Sequence, residues 1–279
     1  MLSRRAFLAA GVATLSAGAL PARPAGLKIG VMDGPLRLSG KPSAIGLAKS
    51  LGFAGLQVTI GRPAAGGPLP LEDPALQQAY LAESKKHDLP IYATYLDVLH
   101  VNCLKNDALA RQWVLKGIGI TRALQTRVLM TVFFGKCALE NRAETDYAAD
   151  AFRELAPEAE KAGVVIGFEN LLSAGENARA LDRVGSRAFQ VYYDVGNAVN
   201  LGGFDPAEEI RSLGRGRICQ FHFKDKGYLG EGKVDYPAVL KAIEDIRFEG
   251  YANLETIAPS GNSEADLRRN LAYLRGLMR

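Results

Sequence analysis

The sequence predicts a single-domain α/β protein folded as a closed (β/α)8 barrel, and three observations carry that prediction. From Leu27 onward, eight short β-rich runs alternate with longer amphipathic stretches, with no internal linker, low-complexity segment or charge block between them. The runs are continuously apolar rather than alternating, which is how strands read when helices cover both faces of a parallel sheet. Eight such units in a chain of 279 residues match the size of a closed barrel. The competing open, doubly wound sheet calls for a Gly-x-Gly-x-x-Gly turn after the first strand, and "GVMDGPLRLSG" offers only scattered glycines there.

Taken in order, the strands are "LKIGVM" (27–32), "GLQVTI" (55–60), "IYATYL" (91–96), "RVLMTVF" (127–133), "VVIGFE" (164–169), "FQVYYD" (189–194), "ICQFHF" (218–223) and "YANLET" (251–256). Helices are expected at "SAIGLAKSLG", "DPALQQAYLAESKKHDLP", "DALARQWVLKGIGITRALQ", "ETDYAADAFRELAPEAEKAG", "DYPAVLKAIEDI" and, after the last strand, "SEADLRRNLAYLRGLM". Ser, Asp or Thr opens these segments, and Gly or Pro often closes them, as helix ends require.

Composition supports a large buried core, with 48% hydrophobic and 23% charged residues, and excludes a disordered chain. Three of the 34 basic residues, Arg4, Arg5 and Arg23, stand in the first 25 positions, leaving 31 against 30 acidic residues. That balance gives no electrostatic case for nucleic acid or an anionic membrane. Cys103, Cys137 and Cys219 form no close-spaced pair, so they read as packing thiols rather than as a disulfide framework or a thiolate zinc site.

Residues 1–25 read as an export signal, leaving 26–279 as the barrel domain. Two arginines precede an alanine- and glycine-rich apolar run from Ala6 to Leu20, which is shorter than a membrane-spanning helix needs. "SRRAFLAA" resembles the twin-arginine signal, matching Ser3, Arg4, Arg5, Phe7 and Leu8, with Ala9 where lysine is usual. The expected location is periplasmic or secreted, without stable membrane insertion once the signal is removed.

In a barrel of this kind, chemistry gathers at the carboxyl ends of the strands. Glu169, Asp194, His222 and Glu255 end strands five, six, seven and eight, so four consecutive strands each deliver one ligand-type side chain to the same half of the mouth. A single acid at such a position is often just an N-cap of the following helix. Four together make a cation site. Oxygen-rich ligation with one nitrogen suits Mn2+, Mg2+ or Co2+, with Zn2+ as the alternative. Strand period two places Gly167 and Val165 on the face of Glu169, and Gln220 and Lys224 on that of His222. The small residue at 167 is expected to leave room at the mouth.

"GFEN", "YYDVGN", "HFKDKGYLGEGKVDY" and "NLET" resemble the xylose isomerase-like TIM barrels of the sugar phosphate isomerase/epimerase group, over nearly the whole chain after the signal. The most specific stretch is His222, Lys224, Asp225, Gly230, Glu231, Gly232, Val234 and Asp235. The resemblance implies that Glu169, Asp194, His222 and Glu255 hold one divalent metal ion. Two features depart from the ketose 3-epimerase branch: Asn197 stands where that branch has histidine, and the loop after His222 carries Lys226 and Tyr228 where the branch places an arginine. Gln57 stands where a glutamate commonly ends the second strand.

The implied activity is metal-dependent isomerisation or epimerisation of a sugar or related polyol through an enediolate, with Glu169 and Glu255 exchanging the substrate proton. The alternative is a lyase that dehydrates a keto-sugar at the same site. Lys224, Asn197, His100 and Gln57 are the candidate substrate contacts, whereas His87 reads as a helix-end surface residue and Trp113 as helix packing. A phosphodiesterase with a trinuclear zinc site needs more histidines than the three present. Homo-oligomerisation is compatible with the sequence.

Overall fold

The computed structural model describes residues 26–64 and 67–279. The twin-arginine-type segment therefore lies outside the described residues. Eight parallel strands close into a barrel in chain order: β1 (Gly26–Met32), β2 (Leu56–Thr59), β3 (Ile91–Tyr95), β4 (Val128–Val132), β5 (Val165–Glu169), β6 (Phe189–Asp194), β7 (Ile218–Phe223) and β8 (Glu249–Leu254). Around them run α1 (Ala44–Leu51), α2 (Pro74–His87), α3 (Ala108–Ala123), α4 (Arg142–Ala162), α5 (Ala174–Val184), α6 (Val195–Asn197), α7 (Pro206–Leu213), α8 (Tyr236–Asp245) and α9 (Ser263–Leu277).

The helices start where carboxylates can cap them. Asp73, Asp107, Asp205 and Asp235 accept hydrogen bonds from the first backbone N–H groups of α2, α3, α7 and α8. Left-handed Gly52, Gly163 and Gly185 close α1, α4 and α5. Between barrel and helix layer, Phe133, Phe152, Phe168 and Phe189 pack with ring centroids 4.6 to 6.0 Å apart, welding α4 onto β4, β5 and β6. The seam that closes the barrel is broad. β1 pairs with β8 from Gly26↔Glu249 to Val31↔Leu254, but meets β2 only at Val31↔Leu56 and Met32↔Gln57.

Asp33, the first residue after β1, reinforces that narrow side. Its Oδ1 accepts from Thr59 Oγ1 at 2.5 Å, and its Oδ2 accepts from Thr59 N at 2.9 Å and Gly40 N at 3.2 Å.

Three expectations need correction. The eighth strand starts at Glu249 and ends at Leu254, so Glu255 is the first residue beyond it. Cys103 and Cys137 are not free thiols but a disulfide with Cα atoms 4.9 Å apart. They follow neighbouring strands β3 and β4, and the pairing of those strands brings together loops that sequence spacing keeps 34 residues apart. Cys219 alone is free. Gly167 does not open the mouth either, because an added Cβ there would stand 3.0 Å from Tyr192 and 3.1 Å from Cys219 Sγ, so its missing side chain makes room for packing.

Candidate active site

The barrel delivers the four candidate ligands from adjacent strands. Glu169 is the last residue of β5, Asp194 the last of β6, His222 the penultimate residue of β7 and Glu255 follows β8. Register does the alignment, with Asp194 opposite His222 and His222 opposite Asn253. The His222 ring is wholly buried, and its Nδ1 lies 2.9 Å from Glu169 Oε1, 3.3 Å from Glu255 Oε2 and 3.6 Å from Asp194 Oδ2. One ligand atom from each of the four residues falls within 4.8 Å of the others.

Asp194 performs both roles considered for such an acid. Its Oδ1 accepts from Asn197 N at 2.7 Å and caps α6, while Oδ2 turns toward the cluster. Glu169 caps no helix, since Ser173 caps α5. The helical stretch through α6 and the π-turn Ala198–Gly202 had no counterpart in the strand-and-helix pattern of the sequence.

Lys224 completes the cluster, with Nζ 2.8 Å from Asp194 Oδ2 and 2.6 Å from Glu255 Oε2. Three features aim it. Gly196 lets the backbone approach, for a Cβ there would lie 2.5 Å from both Lys224 Cγ and Lys224 O. Tyr236 OH donates to Lys224 O at 3.0 Å. Asp225 then folds the following loop around its own carboxylate, accepting from the backbone N–H groups of Lys226, Lys233 and Val234 at 2.8, 3.1 and 3.0 Å. A Cβ at Gly232 would overlap that carboxylate, so any larger residue there would have to push it off its backbone partners. The Lys-Asp…Gly-x-Gly-x-Val-Asp pattern is thus a folding instruction for the loop that presents Lys224.

Burial and mutual charge set the proton affinities. Burial raises the Glu169 carboxyl above the ordinary range despite the opposing pull of His222. Burial also works to raise Glu255, but the charges of His222 and Lys224 overcome it and hold that carboxyl well below its usual value. Burial opposes the cationic forms of His222 and Lys224, yet the carboxylates prevail and raise both.

Beneath the cluster lies a fully buried polar layer. Gln57 is wholly inaccessible and sits under His222 rather than at the open mouth where a substrate contact was expected. Tyr92 OH donates to Asn253 Oδ1 at 2.7 Å, Asn253 Nδ2 donates to Gln57 Oε1, and Tyr192 OH donates to the same oxygen at 3.3 Å. Sequence reasoning missed Asn253, Tyr92 and Tyr192. Period two supplies a signal for the first, since Asn253 lies two residues before Glu255 and therefore on its face.

Across the mouth, His100 is half-buried, with Nε2 2.7 Å from Tyr95 OH and its ring tilted against Phe134. Burial and then Arg62 lower its proton affinity. Arg62 itself pairs with Asp97 at 3.0 Å. Asn197 meets the cluster only through its backbone N–H on Asp194. His87 pairs with Glu83 on α2, remote from the mouth, so among the described residues one histidine alone joins the cluster. Trp113 packs in α3, its indole N–H donating to Asn102 Oδ1.

Comparison with known proteins follows the same lines. A sequence profile described as xylose isomerase-like TIM barrel matches residues 45–277. A 2-epi-5-epi-valiolone 7-phosphate 2-epimerase from Actinoplanes sp. is 27% identical over 199 residues, 71% of this chain and 72% of that protein. Among solved structures, a D-allulose 3-epimerase from Methylomonas sp. superposes with a TM-score of 0.73 at 18% identity, covering 92% of this chain and 99% of the other. The 3-keto-D-glucoside 4-epimerase of E. coli gives 0.70 at 15% identity, covering 90% and 99%. At those identities the superpositions establish the fold. The profile match spans most of the sequence, and the chain belongs to the xylose isomerase-like TIM barrel family.

Proposed function

We propose that the protein is a sugar or polyol isomerase/epimerase that uses one divalent cation held by Glu169, Asp194, His222 and Glu255. The observation that carries this reading is the convergence of those four side chains, three carboxylates and one imidazole, within 4.8 Å on consecutive strands. The donor set fits a hard divalent cation such as Mn2+, Mg2+ or Co2+. When bound, such an ion lowers the cost of negative charge on substrate oxygens.

Proton transfer falls to the chain. Glu169 at the end of β5 and Glu255 just beyond β8 flank the cluster from its two sides, so a substrate held at the cation lies between two carboxyls that can exchange its proton. One removes a proton beside the substrate carbonyl, and return of a proton to the opposite face inverts that carbon. Lys224 steers a substrate oxygen toward Glu255, and His100, Tyr95 and Phe134 frame the facing wall. The relatives are named as epimerases at carbons 2, 3 and 4 of different substrates, so they support the reaction class rather than one sugar. Asn197, Lys226 and Tyr228 separate this chain from the ketose 3-epimerase pattern.

The test is turnover of a panel of ketoses and keto-glycosides in heavy water with metal content measured in parallel. Epimerisation places deuterium at the inverted carbon without loss of mass, and dehydration loses water and selects the lyase reading. Glu169→Gln and Glu255→Gln should each cut turnover by roughly 10² or more. Two variants that keep both metal and full activity would sink the two-carboxylate mechanism.

We further propose export through the twin-arginine-type segment. The Cys103–Cys137 disulfide supports it, since such bonds persist in oxidising compartments. Replacing Arg4 and Arg5 with lysine should retain the protein in the cytoplasm, and undiminished periplasmic accumulation would refute the route.

A further inference from the structure

The polar layer under the cluster assigns a role to Gln57, and the inference rests on the cation reading above. The two nitrogens of His222 face different surroundings. Nδ1 points among the carboxylates of Glu169, Asp194 and Glu255, whereas Nε2 points down, 3.2 Å from Gln57 Oε1 and 3.1 Å from Asn253 Nδ2. A ring nitrogen binds a cation through its lone pair, so ligation by Nδ1 requires the ring hydrogen to sit on Nε2. That hydrogen needs an acceptor in a place closed to water.

The orientation of both amides follows from their partners. Tyr92 OH donates to Asn253 Oδ1 at 2.7 Å, which turns Asn253 Nδ2 toward Gln57 and His222. Gln57 Oε1 receives both Asn253 Nδ2 and Tyr192 OH, which turns that oxygen inward, and Gln57 Nε2 faces Met130 Sδ at 3.4 Å. A flipped Gln57 would set its own N–H groups against Asn253 Nδ2 and the ring hydrogen. Asn253 Nδ2 is a donor, so Gln57 Oε1 is the acceptor available to Nε2–H.

We propose that Gln57 is a positioning residue that holds the hydrogen of His222 on Nε2 and so keeps the Nδ1 lone pair open to a divalent cation. The competing arrangement is visible in the same contacts. With Nε2 bare, Asn253 donates to it, Nδ1–H donates to Glu169 Oε1, and the imidazole no longer offers a ligand to the site. Gln57 tips the balance between the two. It does so as a neutral amide, accepting from three donors without adding a fourth carboxylate beneath Glu169, Asp194 and Glu255.

The experiment uses the intact chain and titrates Mn2+ and Mg2+ by calorimetry into wild type, Gln57→Leu and Gln57→Glu. Leucine keeps the bulk and removes the acceptor, and it should weaken affinity by roughly 10- to 100-fold, the usual effect of losing a partner behind a ligating histidine. Glutamate restores the acceptor and should bind at least as tightly as wild type, which a loss through misfolding would not permit. The second readout is 15N–1H NMR at saturating Mg2+. With three histidines in the chain, the His222 Nε2–H signal is resolvable. It should lie downfield in wild type and Gln57→Glu and move upfield in Gln57→Leu. Wild-type affinity and an unmoved Nε2–H signal in Gln57→Leu would overturn the assignment, as would a Gln57→Glu variant as weak as Gln57→Leu. A wild-type protein that binds neither ion would instead refute the cation site itself.

Discussion

Asp33→Asn is expected to change how stability depends on pH. Burial raises the Asp33 carboxyl from 3.8 to about 6, with its hydrogen bonds from Thr59 and Gly40 only partly offsetting the cost. A folded state that binds its proton more tightly than the unfolded chain is favoured at low pH. The Asp33 contribution is therefore fully present below 3.8 and lost as pH rises through about 6. At about 1.4 kcal/mol per pH unit, that interval amounts to about 3 kcal/mol. Asparagine fits the same place. Its oxygen accepts from Thr59 N and Gly40 N as Oδ2 does, and its amide donates to Thr59 Oγ1 in place of the hydroxyl donating to Oδ1. Urea unfolding of both proteins from pH 4 to 7.5 checks the sign. Relative to the variant, wild type should lose about 2 to 3 kcal/mol over that range, or roughly 1 M in midpoint at a slope of about 2 to 3 kcal/mol/M. Parallel pH profiles would show that Asp33 carries no buried-charge cost.

Gly196→Ala should destabilise by about 1 to 3 kcal/mol, because one of the 2.5 Å contacts is to backbone that cannot yield; thermal unfolding reads the loss, and an unchanged Tm refutes the close-approach argument. The same variant should weaken metal binding, since the displaced Lys224 backbone lies just past the end of β7, two residues after His222. Cys103→Ser should lower stability by up to about 4 kcal/mol from the 34-residue separation it unlinks, and a reductant should mimic it in wild type but leave the variant unaffected. Asp225→Ala strands three loop N–H groups and should cost roughly 2 kcal/mol or more, read by unfolding, with faster proteolysis between Lys226 and Lys233.

The strand pattern was legible because burial on both faces leaves a plain apolar record, and the ligand arc was legible because Glu169, Asp194 and His222 interrupt that record at strand ends. Glu255 joins the cluster although the strand stops one residue earlier, since the barrel mouth collects whatever follows a strand. The disulfide was hidden, because it depends on the adjacency of β3 and β4 rather than on spacing. Gln57 was singled out for its residue type, but its depth was not legible. A polar residue near the end of a strand can face the mouth or the layer below, and Tyr92, Tyr192 and Asn253 settle which.

The broad seam between β1 and β8 bears on how the chain folds. Gly26 and its partner Glu249 are 223 positions apart (26 to 249), so the most extensive pairing of the first strand is also among the most distant contacts in sequence. Contacts of that span slow folding, because the loop entropy must be met before the pairing returns anything. During synthesis β1 has only its two-residue register with β2 to lean on until the eighth strand emerges. A chain cut short before Glu249 would leave β1 and β7 as open apolar edges, the kind that pair with other molecules. Intermediates lacking β8 should accordingly be where aggregation begins, and a chaperone that shields the first strand until residue 254 is made would raise the yield of soluble protein.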